Sequence, residues 1–240
     1  MKSATELDGV LLIDKAPGMT SHDVVAIARR SLGTKKIGHC GTLDPLATGL
    51  LILTVGRGTK IQDLLMSEDK EYVGTMRLGE TTTSQDADGE VLETRPVPTL
   101  AAADIEAAFA KFRGDFYQTP PMVSAIKIDG VPLYKLARKG REVERQPRFV
   151  HVYAAEVLAL RLPDVDFRVA CSKGFYVRTF AHDIGQELGC GAHLRSLRRT
   201  ISGKFHAEGA VTVEELKSLP REELHARVLS LPAVSRLRGA

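Results

Sequence analysis

The chain has 240 residues, 43% hydrophobic and 26% charged, a composition that allows a real core and argues against a disordered or low-complexity polypeptide. A formal charge of +3 is small for a general polyanion binder, and three cysteines without CxxC spacing argue against a disulfide scaffold or a structural zinc site. The opening MKSATELDGV has no signal-peptide pattern and no apolar run reaches membrane-span length, so a reducing cytoplasm is the expected compartment.

In chain order, GVLLI at 9–13 reads as a short buried strand. A Pro/Gly turn follows, and Thr20 with Asp23 forms a capping-box pattern that starts a helix. That helix carries Val24, Ile27, Ala28 and Leu32 on one face and stops at Gly33. LLILTV at 50–55 reads as a second buried strand, and 71–78 alternates with Tyr72, Met76 and Leu78 on one face. The polar stretch GETTTSQDADG reads as a loop. A helix with Ile105, Phe109 and Phe112 is expected to end at Gly114, before a loop holding Pro120 and Pro121. Strands are expected at 149–160 and 165–171, a helix at 176–188, and a second capping box at Thr212 and Glu215. Strands and helices mix without a regular βαβ rhythm, which predicts an α+β fold: a mixed, largely antiparallel sheet flanked by helices.

The positive charge is unevenly placed. Lys135, Arg138, Lys139, Arg141, Arg145 and Arg148 face only Glu142 and Glu144, and Arg195, Arg198, Arg199 and Lys204 have no acid among them. Each patch is either a phosphate-binding surface or a solvated helix face. GxGxxG after a strand, a Walker A loop and an HExxH helix are all missing, so nucleotide-cofactor and metalloprotease chemistry lack support.

GHCGTLDPLATGLLIL at 38–53 is the most unusual segment. Gly38, Gly41 and Gly49 permit tight turns or close approach, and Pro45 stiffens the backbone after Asp44. Asp44 is thereby held beside Leu43, Leu46 and Leu50, where a carboxylate needs a cation or hydrogen-bond donors. Taken locally, Asp44 is either a turn-capping residue of an Asp-Pro turn or a constrained reactive carboxylate.

GHCGTLDPLATG resembles the GxLDPxAxG signature of the TruB-type tRNA pseudouridine-55 synthases, and the resemblance continues. GVLLIDKAPGMTSHD, Lys70-Glu71-Tyr72 with the following LG and TTTSQDADG, PPMVSAIKIDGVPLYKLARKG, and CSKGFYVRTFAHDIGQELGCGAHLRSLRR resemble four further family motifs, collinear over roughly residues 9–200. The resemblance implies the pseudouridine synthase fold and an isomerase acting on the T-loop uridine of tRNA. Asp44 then corresponds to the catalytic aspartate and Arg178 to the arginine that pairs with it. Tyr72 corresponds to the tyrosine stacked on the flipped uracil, Tyr176 to an active-site aromatic, and His39 to the histidine that fills the vacated space. Lys15 and Lys60 correspond to basic residues near the RNA cleft, and Asp86 to an acidic residue of the DADG loop. Lys127, Arg138, Arg141 and Arg199 are the further residues expected to contact RNA.

Pseudouridine formation breaks an N-glycosidic bond and rejoins the base through carbon. Nothing is oxidised, so neither cofactor nor metal is expected. Asp44 serves either as nucleophile at the anomeric carbon or in elimination to a glycal. Base extrusion costs a few kcal/mol, and a stacking face such as Tyr72 returns roughly 1–3 kcal/mol per base. A catalytic domain is expected over 1–205, with a basic thumb-like insertion at about 120–150. Residues 206–240 are expected as a short helical extension without the family's PUA-type domain. The expected partner is the tRNA T-arm, with no membrane, no obligate protein partner and a monomeric state. The rival readings are a guide-RNA-dependent synthase of the dyskerin type, an RNA-binding or folding chaperone, and a hydrolase using Asp44.

Overall fold

The protein is described by a computed structural model covering residues 7–124, 127–128, 130–133 and 143–239. It divides into two compact units, one of residues 1–72 with 198–240, the other of residues 73–197. The chain passes between them inside two strands, and neither passage falls at the expected 205/206 boundary.

The first unit begins with β1 (Gly9–Lys15), the first apolar run. Helix α1 (Ser21–Leu32) starts at the expected capping box: Asp23 N–H donates to Thr20 Oγ1 at 3.1 Å, and Thr20 N–H donates to the Asp23 carboxylate at 2.8 Å. Gly33 ends it in the left-handed region at φ 68°. Val24, Ile27, Ala28 and Leu32 form its buried face, as their spacing requires. Strand β2 (Ile37–Cys40) has no alternation of its own and exists by pairing antiparallel with β3 (Thr48–Val55), Cys40 opposite Ile52. β3 also pairs antiparallel with β1, setting Leu11 opposite Leu53 and Ile13 opposite Leu51. With neighbours on both edges and both faces covered, β3 reads as an uninterrupted apolar run. A 3₁₀ turn (Gly56–Ile61), α2 (Gln62–Met66) and the first residues of β4 (Lys70–Leu78) complete this segment.

In the second unit β4 continues as its alternation predicts, with Met76 and Leu78 buried. The GETTTSQDADG stretch is more ordered than a loop: it contains β5 (Glu80–Thr82), which pairs antiparallel with β6 (Val91–Thr94). Helix α3 (Ala102–Ala110) ends before the expected Gly114. The N–H groups of Phe112 and Arg113 turn back to Phe109 and Ala110, and Gly114, at φ 80°, opens β7 (Gly114–Gln118). Strands β8 (Lys127–Ile128) and β9 (Val131–Pro132) form a short hairpin. Strands β10 (Arg148–Arg161) and β11 (Asp164–Cys171) form a long one, as expected. Helix α4 (Val177–Glu187) and β12 (Ala192–Ser202) follow, giving the strand order β12–β4–β11–β10–β7. Phe180 of α4 anchors the core, with ring centroids 5.5 Å from Phe109, 5.6 Å from Phe175, 5.7 Å from Phe167 and 6.0 Å from Phe112.

The chain then returns to the first unit, where β12 ends parallel to β3 with Arg199 opposite Gly49. β13 (Phe205–His206) folds back on β12. β14 (Val211–Thr212) pairs parallel to β1, and α5 (Val213–Ser218) starts at the second expected capping box. Helix α6 (Arg221–Ala226), β15 (Leu229–Ser230) and α7 (Leu231–Arg238) close the unit. β15 pairs antiparallel with β1, and α1 packs on α5 and α6. Residues 206–239 therefore supply part of the structure around β1 and α1, and Val10, Leu50, Ile52, Leu65, Phe205 and Val234 share one core. The fold is the mixed, mainly antiparallel α+β architecture expected.

Arg195, Arg198 and Arg199 of the second basic patch lie on a strand, β12, rather than on a helix face. Strand pairing leaves Arg195 against Asp164 and Arg198 in a two-pronged pair with Asp14 at 2.9 and 2.7 Å, and buries Arg199. Arg195 and Arg198 are each ion-paired but keep 47% and 41% of their side chains exposed, so of these three only Arg199 is withdrawn from solvent.

Candidate active site

Asp44 lies in the connection between β2 and β3, half-buried. The Asp-Pro turn forms, since Ala47 N–H donates to Asp44 C=O at 3.0 Å. The rest of the loop is tied down residue by residue. Leu43 N–H donates to Ser21 Oγ at 2.9 Å, and the same hydroxyl donates to Leu43 C=O at 3.2 Å. Pro45 C=O accepts Gly18 N–H at 2.9 Å and Lys15 Nζ at 3.3 Å. Arg199 donates through Nη2 to Gly41 C=O at 3.1 Å and through Nε to Leu50 C=O at 2.7 Å. The backbone on both sides of Asp44 is thus hydrogen-bonded to fixed neighbours, the condition for holding a carboxylate in one place.

Lys15, expected near the RNA cleft, and Arg199, expected to contact RNA, are both buried. Lys15 is 0% and Arg199 1% exposed, and both donate to backbone carbonyls, with Lys15 also reaching Ala16 and Met19 at 2.9 and 2.8 Å. A side chain sealed from solvent makes no direct contact with a phosphate while it stays buried.

His39 sits on β2 with its ring 5.2 Å from that of His22, edge to face. Burial, with the nearby His22 and Arg199, pulls its imidazole down to about 4. It is therefore neutral at physiological pH, and its buried Nδ1 has no hydrogen-bond partner among the described residues. Tyr72 is 8% exposed at the end of the first unit's share of β4, and Lys60 is exposed on the 3₁₀ turn.

In the second unit Arg178 occupies the first turn of α4 with its side chain 5% exposed. It donates to Ser84 C=O at 2.9 Å and Val123 C=O at 2.7 Å, and its Nε lies 3.6 Å from Asp86 Oδ2. Asp86 is 4% exposed, and its other oxygen accepts from Ser84 Oγ and from Asp88 N–H. Gln85, between these residues, holds the strained φ of 64° and accepts from Thr179 of α4 at 3.0 Å. The DADG loop is thus folded around Arg178. Tyr176 caps α4 and is gripped by Gln118: its N–H donates to Oε1 at 2.8 Å and its C=O accepts from Nε2 at 3.1 Å.

Lys15, His39, Asp44, Lys60, Tyr72 and Arg199 thus belong to the first unit, and Asp86, Lys127, Tyr176 and Arg178 to the second. Lys127 lies on β8. Arg138 and Arg141, with most of the basic run, lie outside the described residues. Ser21 and Gln118 had no signal in the sequence, since one reads as an ordinary first-turn serine and the other as a polar residue before two prolines.

Residues 29–177 match the TruB family pseudouridylate synthase N-terminal domain, and residues 178–233 match the tRNA pseudouridylate synthase B C-terminal domain. The chain belongs to the TruB family of pseudouridylate synthases, isomerases that convert uridine to pseudouridine. It is 60% identical over 224 residues to tRNA pseudouridine synthase B of Opitutus terrae, covering 93% of each chain. It is 56% identical to the Burkholderia lata protein of the same name, covering 88% of this chain and 65% of that one. Among solved structures, a Cbf5-Nop10-Gar1 complex matches with a TM-score of 0.73 at 31% identity, covering 96% of this chain and 62% of that one. An archaeal box H/ACA sRNP Nop10-Cbf5 complex matches at 0.68 and 31%, with 92% and 59% covered.

Proposed function

We propose that the protein isomerises the T-loop uridine of tRNA, position 55, to pseudouridine as a stand-alone cytoplasmic monomer, with Asp44 as the catalytic carboxylate. The observation that carries this reading is the Asp44 loop, whose backbone is hydrogen-bonded at Gly41, Leu43, Asp44 and Pro45. A reaction in which the base detaches, turns and reattaches at C5 needs such a fixed carboxylate more than it needs an external reagent.

Tyr72 offers the stacking face for the flipped uracil, and Tyr176 packs in the active site. Arg178 contributes the buried positive charge that a reacting carboxylate needs. Asp86 acts through Arg178 by holding its guanidinium. His39, kept neutral, fills the space the uridine leaves. Lys60, Lys127, Arg138 and Arg141 approach the RNA backbone, which fixes register without reading sequence. The likeness to Cbf5 complexes favours one second reading, a synthase that needs guide RNA and protein partners. The 60% identity to a tRNA synthase, against 31% to Cbf5, weighs for the stand-alone enzyme.

The test is pseudouridine formation by the purified protein alone on a minimal T-arm stem-loop, wild type against Asp44→Asn. Product at the T-loop uridine with wild type only is expected. Product that appears only when guide RNA is added would favour the second reading, and equal product from both proteins would remove Asp44 from the mechanism.

A further inference from the structure

We infer that Arg199 is a positioning residue for the isomerisation, a clamp across the two ends of the segment that carries Asp44. This rests on the reading of Asp44 as the catalytic carboxylate.

Arg199 is among the largest fully buried side chains of the protein. Its guanidinium donates to Gly41 C=O on one side of Asp44 and to Leu50 C=O on the other, and no carboxylate pairs with it among the described residues. A buried cation balanced by carbonyls alone is a costly filler, and an apolar side chain would occupy the same volume more favourably. What an apolar side chain cannot do is bridge two carbonyls, and the planar fork of arginine suits that task better than the single ammonium of lysine.

The glycines of the Asp44 motif fit around this residue. Gly41 has φ 78°, and a Cβ there would lie 3.2 Å from Arg199 Nη1. Gly49 has φ 91°, and a Cβ there would lie 2.3 Å from the Arg199 carbonyl oxygen and 2.9 Å from its nitrogen. The parallel register of β12 against β3 sets Arg199 opposite Gly49, so the side chain passes beneath the loop. Gly49 is thus required by the Arg199 backbone, while at Gly41 the left-handed φ disfavours a side chain and the guanidinium leaves little room for one. The pattern GHCGTLDPLATG and Arg199 form one device.

The test is a single-turnover reaction of the full-length protein, in excess, on a T-arm stem-loop RNA. Wild type, Arg199→Lys, Arg199→Gln, Gly41→Ala, the Arg199→Gln/Gly41→Ala double variant and Asp44→Asn are compared. Each is checked for folding by circular dichroism, and RNA affinity is measured separately by filter binding. The expected result is an RNA Kd within about threefold of wild type and a rate at saturation about a hundredfold lower for Arg199→Gln. Arg199→Lys, which reaches one carbonyl, falls between, and the double variant is no slower than the slower single variant because both lesions strike one contact. Should Arg199→Gln fail to fold, Arg199→Lys and Gly41→Ala carry the same comparison. A wild-type saturating rate in folded Arg199 variants overturns the inference. So does a loss confined to Kd with a salt slope reduced by about one, the signature of a phosphate contact. A fully active Asp44→Asn overturns the reading of Asp44 and this inference with it, whereas an inactive Asp44→Asn beside a fully active Arg199→Gln overturns the inference alone.

Discussion

Replacing Ser21 with alanine tests whether the Asp44 loop depends on α1. Ser21 is 1% exposed, and its hydroxyl holds both backbone groups of Leu43, accepting from N–H at 2.9 Å and donating to C=O at 3.2 Å. Each bond contributes about 0.5–1.5 kcal/mol net, and a buried N–H left without a partner costs about 1–3 kcal/mol. Alanine at this first-turn position returns at most about 0.5 kcal/mol through its better helix propensity. The net expected loss is therefore about 2 kcal/mol, which at this chain length lowers Tm by roughly 4–8 °C. Because Leu43 precedes Asp44, the saturating single-turnover rate should also fall about tenfold or more, by misplacement of the carboxylate. Urea unfolding of the full chain and the rate assay on a T-arm stem-loop measure the two effects. A stability loss under about 0.5 kcal/mol would refute the bond accounting. A lower stability with an unaltered rate would refute the link between this hydroxyl and the site.

Two further substitutions probe the second unit. Phe180→Ala removes the ring that Phe109, Phe112, Phe167 and Phe175 surround and should cost about 3–5 kcal/mol in urea unfolding, while Phe180→Leu costs well under half of that; equal costs would contradict the packing argument. Asp183 on α4 has its carboxyl pushed up to about 6 by burial, against an ordinary 3.8. Its folded form holds the proton more tightly than the unfolded chain, so its stabilising contribution is complete below about 3.8 and is lost as pH rises through about 6. Asp183→Asn should therefore stabilise the protein at pH 8 and lose that advantage toward pH 4, and a gain independent of pH would sink the assignment.

The local elements were legible because their causes are local. The Thr20 and Thr212 capping boxes, the 3.6-residue spacing of α1 and the alternation in β4 and β11 need only neighbours in sequence. The motif around Asp44 was legible for the same reason, being contiguous, and it carried the family with it. Elements without a pattern of their own were not legible. β2 has no pattern of its own, β5 hides in a polar stretch, and α3 stops short of Gly114 because its last N–H groups turn back early. The burial of two cations was not legible, because it depends on distant strands. Lys15 and Arg199 carry the charge expected of RNA contacts, yet the register of β1, β3 and β12 buries both beneath the Asp44 loop. The sequence by itself determined the secondary-structure signals, the family and the candidate carboxylate Asp44, since each is written in residues close together in the chain. Only the tertiary structure decided which cations face inward, that 198–239 joins the N-terminal residues in one unit, and that Ser21, Lys15 and Arg199 hold the loop. Those outcomes depend on contacts between residues far apart in sequence, and no local pattern encodes where such partners meet.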